Sequence, residues 1–221
     1  MTENWAVVPV KGLTESKTRL STYLQGDNRR ILVEALLDDV LSSIIRSRVY
    51  GTIMVISPDE NVASRIRLPE VSFLKQTGIG LNRAVEQANR LATLGHASSL
   101  TTVLADIPLV EPRDFEEIVG LGSPGRRVAM APSMKGGTNV MLTSLPGAIS
   151  PSYGRWSYSK HLRRAQAGGL NAYSISNRRV SFDIDTMSDL LELRRLDPKG
   201  KTASGRVAEM LKPVLTAQRT R

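Results

Sequence analysis

The chain contains no cysteine. Disulfides, thiolate metal centres and cysteine nucleophiles are therefore excluded, and an intracellular setting fits. Long apolar runs are also missing. No stretch approaches the ~20 residues that a bilayer-spanning helix needs. Met1 to Trp5 lack a basic segment leading into an apolar one, so no secretory signal is expected. A cytoplasmic protein without membrane attachment is the expectation. Aromatic residues are scarce, at 5%, and do not interleave with the basic ones as a single-strand-binding surface requires. No glycine loop ends in Gly-Lys-Ser/Thr, so the P-loop is absent. No Ser-His-Asp set stands out either, and His161 reads as a structural histidine rather than a catalytic one.

What is present suits one α/β domain. The chain has 221 residues, 41% of them apolar and 23% charged, enough for a real core. The net charge is +9. From Lys199 onward, six basic residues (Lys199, Lys201, Arg206, Lys212, Arg219, Arg221) stand against Glu209 alone, so the tail holds five of those nine charges. Residues 1–198 read as the domain and 199–221 as a basic tail with one weak, fraying helix near Val207 to Leu215. Nucleic-acid binding rests on that tail alone and is the alternative from a different class.

Strands alternating with helices predict a mostly parallel sheet covered on both faces. Trp5 to Val10 reads as the first strand. It opens onto Lys11-Gly12-Leu13-Thr14-Glu15-Ser16-Lys17-Thr18-Arg19-Leu20, where a glycine and three cations suit a loop that wraps phosphates. Asp27 caps a long helix to about Arg46, with Leu32, Leu36, Val40 and Ile44 on its core stripe. Tyr50 to Ser57 and Val71 to Leu74 are further strands, and Gly78 to Asn82 is a glycine turn into a helix to Leu94. The run Thr101 to Val110 is a buried strand that leaves the sheet at Pro108. It puts Asp106 at the carboxyl edge, where ligands of open α/β sheets bind and where an aspartate suits Mg²⁺. A turn or helix cap is the plainer reading of the same residue.

Arg127 to Pro132 and Val140 to Thr143 read as strands, the second antiparallel to its neighbour. The glycines of Gly136-Gly137-Thr138-Asn139 between them allow close anion contact. Ser157 to Gly168 is a helix, Asn171 to Ile175 a strand, and Val180 to Asp185 the last strand. Asp183 and Asp185 share one face there and could join Asp106 around one or two Mg²⁺ ions; Asp185 could also just start the turn that Thr186 caps. Asn82 and its glycine turn are the choice for a ribose or base contact.

Taken together, five motifs keep a specific order. They are Pro9-Val10-Lys11 with Lys17-Thr18-Arg19-Leu20-Ser21; Ala105-Asp106-Ile107-Pro108-Leu109; Pro132-Ser133 with Gly136-Gly137-Thr138-Asn139; Tyr153-Gly154 with Ser157 and His161; and Asp183-Ile184-Asp185-Thr186 with Asp189-Leu190. Over residues 5 to 196 the chain resembles the 2-phospho-L-lactate guanylyltransferase family, including its phosphoenolpyruvate-using members. The resemblance implies a GT-A-like nucleotidyltransferase fold, a three-layer α/β/α sandwich with a mixed sheet. It implies that GMP from GTP is joined to 2-phospho-L-lactate or phosphoenolpyruvate, with release of pyrophosphate, in coenzyme F420 biosynthesis. It also maps Thr138, Gly154 and Ser157 to the acid-binding residues.

On that reading Lys11, Gly12, Lys17 and Arg19 hold the triphosphate, and Asp106, Asp183 and Asp185 hold Mg²⁺. Lys17, Arg19 and Asp106 act on the reacting phosphates. Met134-Lys135 and Tyr158 depart from the family pattern beside the acid region. The sequence does not choose among 2-phospho-L-lactate, phosphoenolpyruvate and 3-phosphoglycerate, and it leaves a homodimer open. Another nucleotidyltransferase of this fold, cytidylyl or sugar-phosphate, is the nearer alternative. Those usually carry an Ala-Gly-rich first loop, where Pro9-Val10-Lys11-Gly12 stands here.

Overall fold

The structure is a computed structural model that describes residues 3–13, 16–123, 125–147 and 149–211. Seven strands form one sheet: β1 (Asn4–Pro9), β2 (Thr52–Ser57), β3 (Val71–Lys75), β4 (Ser99–Val103), β5 (Arg127–Pro132), β6 (Thr138–Ser144) and β7 (Asn171–Ser174). Their order is β3-β2-β1-β4-β6-β5-β7. Only β6 runs against its neighbours β4 and β5; the other pairings are parallel. The helices are α1 (Gly26–Ser47), α2 (Leu81–Leu94), α3 (Pro112–Gly120), α4 (Ser157–Ala167), α5 (Arg178–Ser181), α6 (Met187–Leu196) and α7 (Ala203–Met210). Among the described residues, no helix is long and apolar enough to cross a membrane.

The strands are apolar on both sides because both faces of the sheet are covered. Successive residues point to opposite faces. In β1, Ala6 and Val8 meet Val33, Leu37 and Val40 of α1, while Val7 meets Ala84, Ala88 and Ala92 of α2. In β6, Val140 and Leu142 join the α1 and α3 side, and Met141 joins Val85 of α2 and Ala165 of α4. This is the expected three-layer α/β/α sandwich. The stripe of α1 broadens at its start, where Leu32 and Leu36 meet Leu190 and Leu193 of α6 and Ala208 and Leu211 at the end of α7.

Several boundaries differ from expectation. Gln25, not Asp27, is the cap residue of α1; Asp27 lies in the first turn. β4 starts earlier and ends at Val103, so Asp106 sits in the turn beyond it, ahead of a second turn closed by Val110 N–H donating to the Ile107 carbonyl at 3.2 Å. Val180 to Asp185 is not a strand. The Asn177 side chain accepts from Val180 N–H and starts the helical turn α5. The segment after it bonds to loops instead of a sheet edge: Ile184 N–H donates to the Asp106 carbonyl, and the Ser181 carbonyl accepts from Met134 N–H. Its alternating apolar residues are buried all the same, Phe182 and Ile184 against α1 and α6.

The last helix begins at Ala203, four residues before the expected start, and it is docked rather than frayed. Asp39 of α1 accepts from Ala203 N–H, Ser204 N–H and the Ser204 hydroxyl at 2.6–2.9 Å. A Cβ at Gly205 would fall 2.2 Å from Asp197 Oδ2, so only glycine allows this approach. The remainder of the expected tail, 212–221, lies outside the described residues, as do Thr14 and Glu15 of the basic loop.

Candidate active site

β1, β2, β3 and β4 all end at one edge of the sheet. β6 is antiparallel, so its first residue comes to that same edge: Val140 pairs with Val103, and Leu104 N–H donates to the Asn139 carbonyl. The loops after the parallel strands and the loop before β6 therefore converge, which is where ligands bind in such sheets.

A cleft of about 600 Å³ opens there, lined by Lys11, Lys17, Arg19, Asp106, Asp185 and the turn Gly78–Leu81. Lys17 has a left-handed backbone, φ 56°, an unfavourable conformation for a side-chain-bearing residue that proteins keep where it serves a site. It aims its ammonium at two acids, 2.6 Å from Asp106 Oδ2 and 3.2 Å from Asp185 Oδ1. Burial alone would lower the Lys17 pKa, but the charges of Asp106 and Asp185 outweigh it and raise it. Lys11 and Arg19 are exposed on the cleft wall. Gly12 is buried, with φ 157°, and the next N–H, of Leu13, donates to Asp59 at 3.2 Å. Gly12 thus shapes the loop from behind.

The second acidic arm faces Lys135, whose Nζ lies 2.8 Å from Asp189, 3.6 Å from Asp183 and 3.8 Å from Asp185. Burial and the neighbouring charge of Asp106 push Asp183 above the usual carboxylate range, while for Asp185 the Lys17 ammonium overcomes burial and holds it below that range. Among the described residues, no three carboxylates or imidazoles converge as a ready metal site; the two lysines stand between the acids. Even so, Oδ1 of Asp106 and Oδ1 of Asp183 are buried without a hydrogen-bond partner. Buried anionic oxygens left unpaired are costly, and hard oxygen donors of this kind fit Mg²⁺.

On the other side of the Ser133–Gly137 loop lies a hydroxyl pair. The Ser157 hydroxyl donates to Thr138 Oγ1 at 3.1 Å, and Thr138 Oγ1 lies 3.0 Å from His161 Nδ1. Thr138 and Ser157 are nearly fully buried and His161 wholly so. Ser157 is the first residue of α4, behind the cap residue Trp156, and its hydroxyl is directed at Thr138. Gly154 has φ 123°, and a Cβ there would meet nothing within 4 Å, so its backbone faces open space.

Of the expected site residues, Lys11, Lys17, Arg19, Asp106 and Asp185 meet at the cleft, Asp183 joins them through Lys135, and Thr138, Ser157 and Gly154 form the hydroxyl side. Asn82, the choice for a ribose or base contact, has its side chain engaged within the chain. Its side chain accepts from Tyr153 N–H at 2.7 Å and donates to the Tyr153 carbonyl at 3.3 Å, clamping the chain before Gly154. Asn139 likewise donates inward, to the Val180 carbonyl. Sequence reasoning gave no role to Lys135 or Asp189. Their only signal was position: a lysine in the glycine loop, and an acid three residues after the Thr186 cap.

Residues 4–207 match the family model described as "Guanylyl transferase CofC like". A phosphoenolpyruvate guanylyltransferase of Sphaerobacter thermophilus is 35% identical over 199 residues, 90% of this chain and 96% of that protein. A 2-phospho-L-lactate guanylyltransferase of Methanocaldococcus vulcanius is 30% identical over 188 residues, 85% of this chain and 82% of that protein. Among solved structures, a candidate nucleotide-diphospho-sugar transferase from Desulfovibrio desulfuricans G20 superposes with a TM-score of 0.81 at 16% identity, covering 98% of each chain. That likeness establishes the fold, a GT-A-like nucleotidyltransferase sandwich.

Proposed function

The chain belongs to the guanylyl transferase CofC-like family, and from that premise we propose that it joins GMP from GTP to phosphoenolpyruvate or 2-phospho-L-lactate in coenzyme F420 biosynthesis. A phosphate oxygen of the acid attacks the α-phosphorus of GTP. The bond to the bridging oxygen breaks, and pyrophosphate leaves with that electron pair. The acid's phosphate is already ionised near neutral pH, so no protein nucleophile is required. The chain contributes positioning and charge neutralisation.

The observation that carries this reading is the charged cluster at the sheet edge. Lys17 is held between Asp106 and Asp185, with unpaired oxygens on Asp106 and Asp183. Lys11, Lys17 and Arg19 neutralise the leaving pyrophosphate. Gly12 sets the bend of their loop, and Asn82 holds the Tyr153–Gly154 peptide in place rather than meeting the nucleotide. Asp106, Asp183 and Asp185 are the residues that would hold Mg²⁺, which supplies charge neutralisation of phosphate oxygens when bound. Thr138, Ser157 and the Gly154 backbone receive the acid.

A pyrophosphate-release assay tests this with GTP, ATP, CTP and UTP against phosphoenolpyruvate, 2-phospho-L-lactate, 3-phosphoglycerate and a sugar phosphate. Release should occur with GTP and one of the first two acids. Release only with the sugar phosphate, or only with CTP, would overturn it.

A further inference from the structure

His161 is wholly buried and lies beside the acid pocket, yet the proposed chemistry uses no histidine. Both ring nitrogens are engaged. Nε2 lies 2.8 Å from the backbone nitrogen of Ser152, and a peptide N–H can only donate, so Nε2 accepts. A neutral imidazole with Nε2 free of hydrogen carries it on Nδ1. Nδ1–H must then donate to Thr138 Oγ1, 3.0 Å away.

The consequence lies in counting hydroxyl protons. Thr138 and Ser157 share one hydrogen bond. With His161 as donor, one of the two hydroxyl hydrogens makes that bond and the other is left over. With the opposite tautomer, Thr138 would have to donate to Nδ1 and Ser157 to Thr138, leaving lone pairs only. Lone pairs repel an anion; a hydroxyl hydrogen binds it.

We infer that His161 is a positioning residue: the Ser152 N–H fixes its tautomer, and this leaves the Thr138–Ser157 pair one proton to give to the anionic acid. The inference rests on the reading of Thr138 and Ser157 as acid-binding. It couples three elements, β6 through Thr138, α4 through Ser157 and His161, and the loop before Gly154 through Ser152.

The test has a kinetic and a spectroscopic arm. His161→Leu should raise KM for the acid by about tenfold or more, the scale of one hydrogen bond to a charged group, and leave KM for GTP unchanged. His161→Asn keeps an N–H on the Nδ1 side and should recover most of that loss. In ¹⁵N NMR of the wild-type chain, the buried histidine should show the Nδ1–H tautomer at neutral pH. An Nε2–H signal would overturn the inference even if the leucine variant fails to fold. Thr138→Ala and Ser157→Ala separate the two levels. If both leave KM for the acid unchanged, the acid-site reading itself falls. If they raise it while the folded His161→Leu variant does not, the site stands and the role of His161 is overturned.

Discussion

At the residue scale, Asp106 and Lys17 carry the account. The two form an ion pair at 2.6 Å, and the proposed reading gives each a separate duty once substrate arrives. Asp106→Asn should give a folded protein that has lost Mg²⁺-dependent turnover by a factor of a hundred or more, on the scale of removing one preorganised charge contact. Circular dichroism together with turnover measurement checks it; near-normal rates would remove Asp106 from the site. Lys17→Ala should raise KM for GTP, lower kcat, or both. His161 adds a pH dependence. Burial, helped by Arg164 and Lys160, lowers its pKa to about 4, against about 6.5 in an unfolded chain. Below pH 6.5 the unfolded chain takes up a proton that the native histidine refuses. Its contribution is therefore complete above 6.5 and is lost progressively between about 6.5 and 4, at up to about 1.4 kcal/mol per pH unit. Denaturant unfolding at pH 7 and pH 5 should show that loss, and His161→Asn should flatten it.

At the element scale, the two acidic arms are tied together by Asp114 of α3. It is 1% exposed and accepts from the Arg179 guanidinium through both oxygens, from Asn177 Nδ2 and from Glu111 N–H. Burial would raise its pKa, but these donors, Arg179 first among them, hold it below the usual range. The Glu111 end follows the Asp106 turn, and the Arg179 end precedes Asp183. Asp114→Asn should lower stability by roughly 3 kcal/mol at neutral pH, because it breaks a buried pair. The loss should shrink as pH falls through the range where the native carboxylate itself protonates. The segment 180–185 shows why this clamp was not legible in the sequence. Alternation of Val180, Phe182 and Ile184 correctly marks burial, but burial between loops and burial in a sheet leave the same pattern. The Asn177 cap, three residues past the end of β7, decided between them. α7 makes the converse point: a short helix among basic residues reads as fraying, yet Asp39, 164 residues away in sequence, holds its first turn. A chain ending at Leu211 should melt several degrees above one ending at Pro198, because the shorter chain loses Ala208 and Leu211 from the core.

At the scale of the whole molecule, the parallel sheet, the antiparallel β6 and most helices were legible, because periodicity and glycine punctuation are local signals. The two halves of the site were legible as separate motifs. Their meeting was expected only through the family resemblance, because it depends on β6 entering the sheet backwards and carrying Thr138 to the edge where Asp106 lies. The lysines between the acids were likewise hidden, since no spacing rule links Lys17 to Asp185 or Lys135 to Asp189. Four of the cations behind the net charge of +9 are Lys11, Lys17, Arg19 and Lys135, which on the proposed reading stand near the substrate phosphates. The central claim is that one site joins a guanylyl group to a phosphorylated acid. ³¹P NMR of the chain with GTP, Mg²⁺ and phosphoenolpyruvate or 2-phospho-L-lactate reads it directly. Pyrophosphate and a new diphosphate diester should appear in equal amounts with one of the acids, and neither should appear with Asp106→Asn. Formation of GDP and orthophosphate with no diester, for either acid, would contradict the claim.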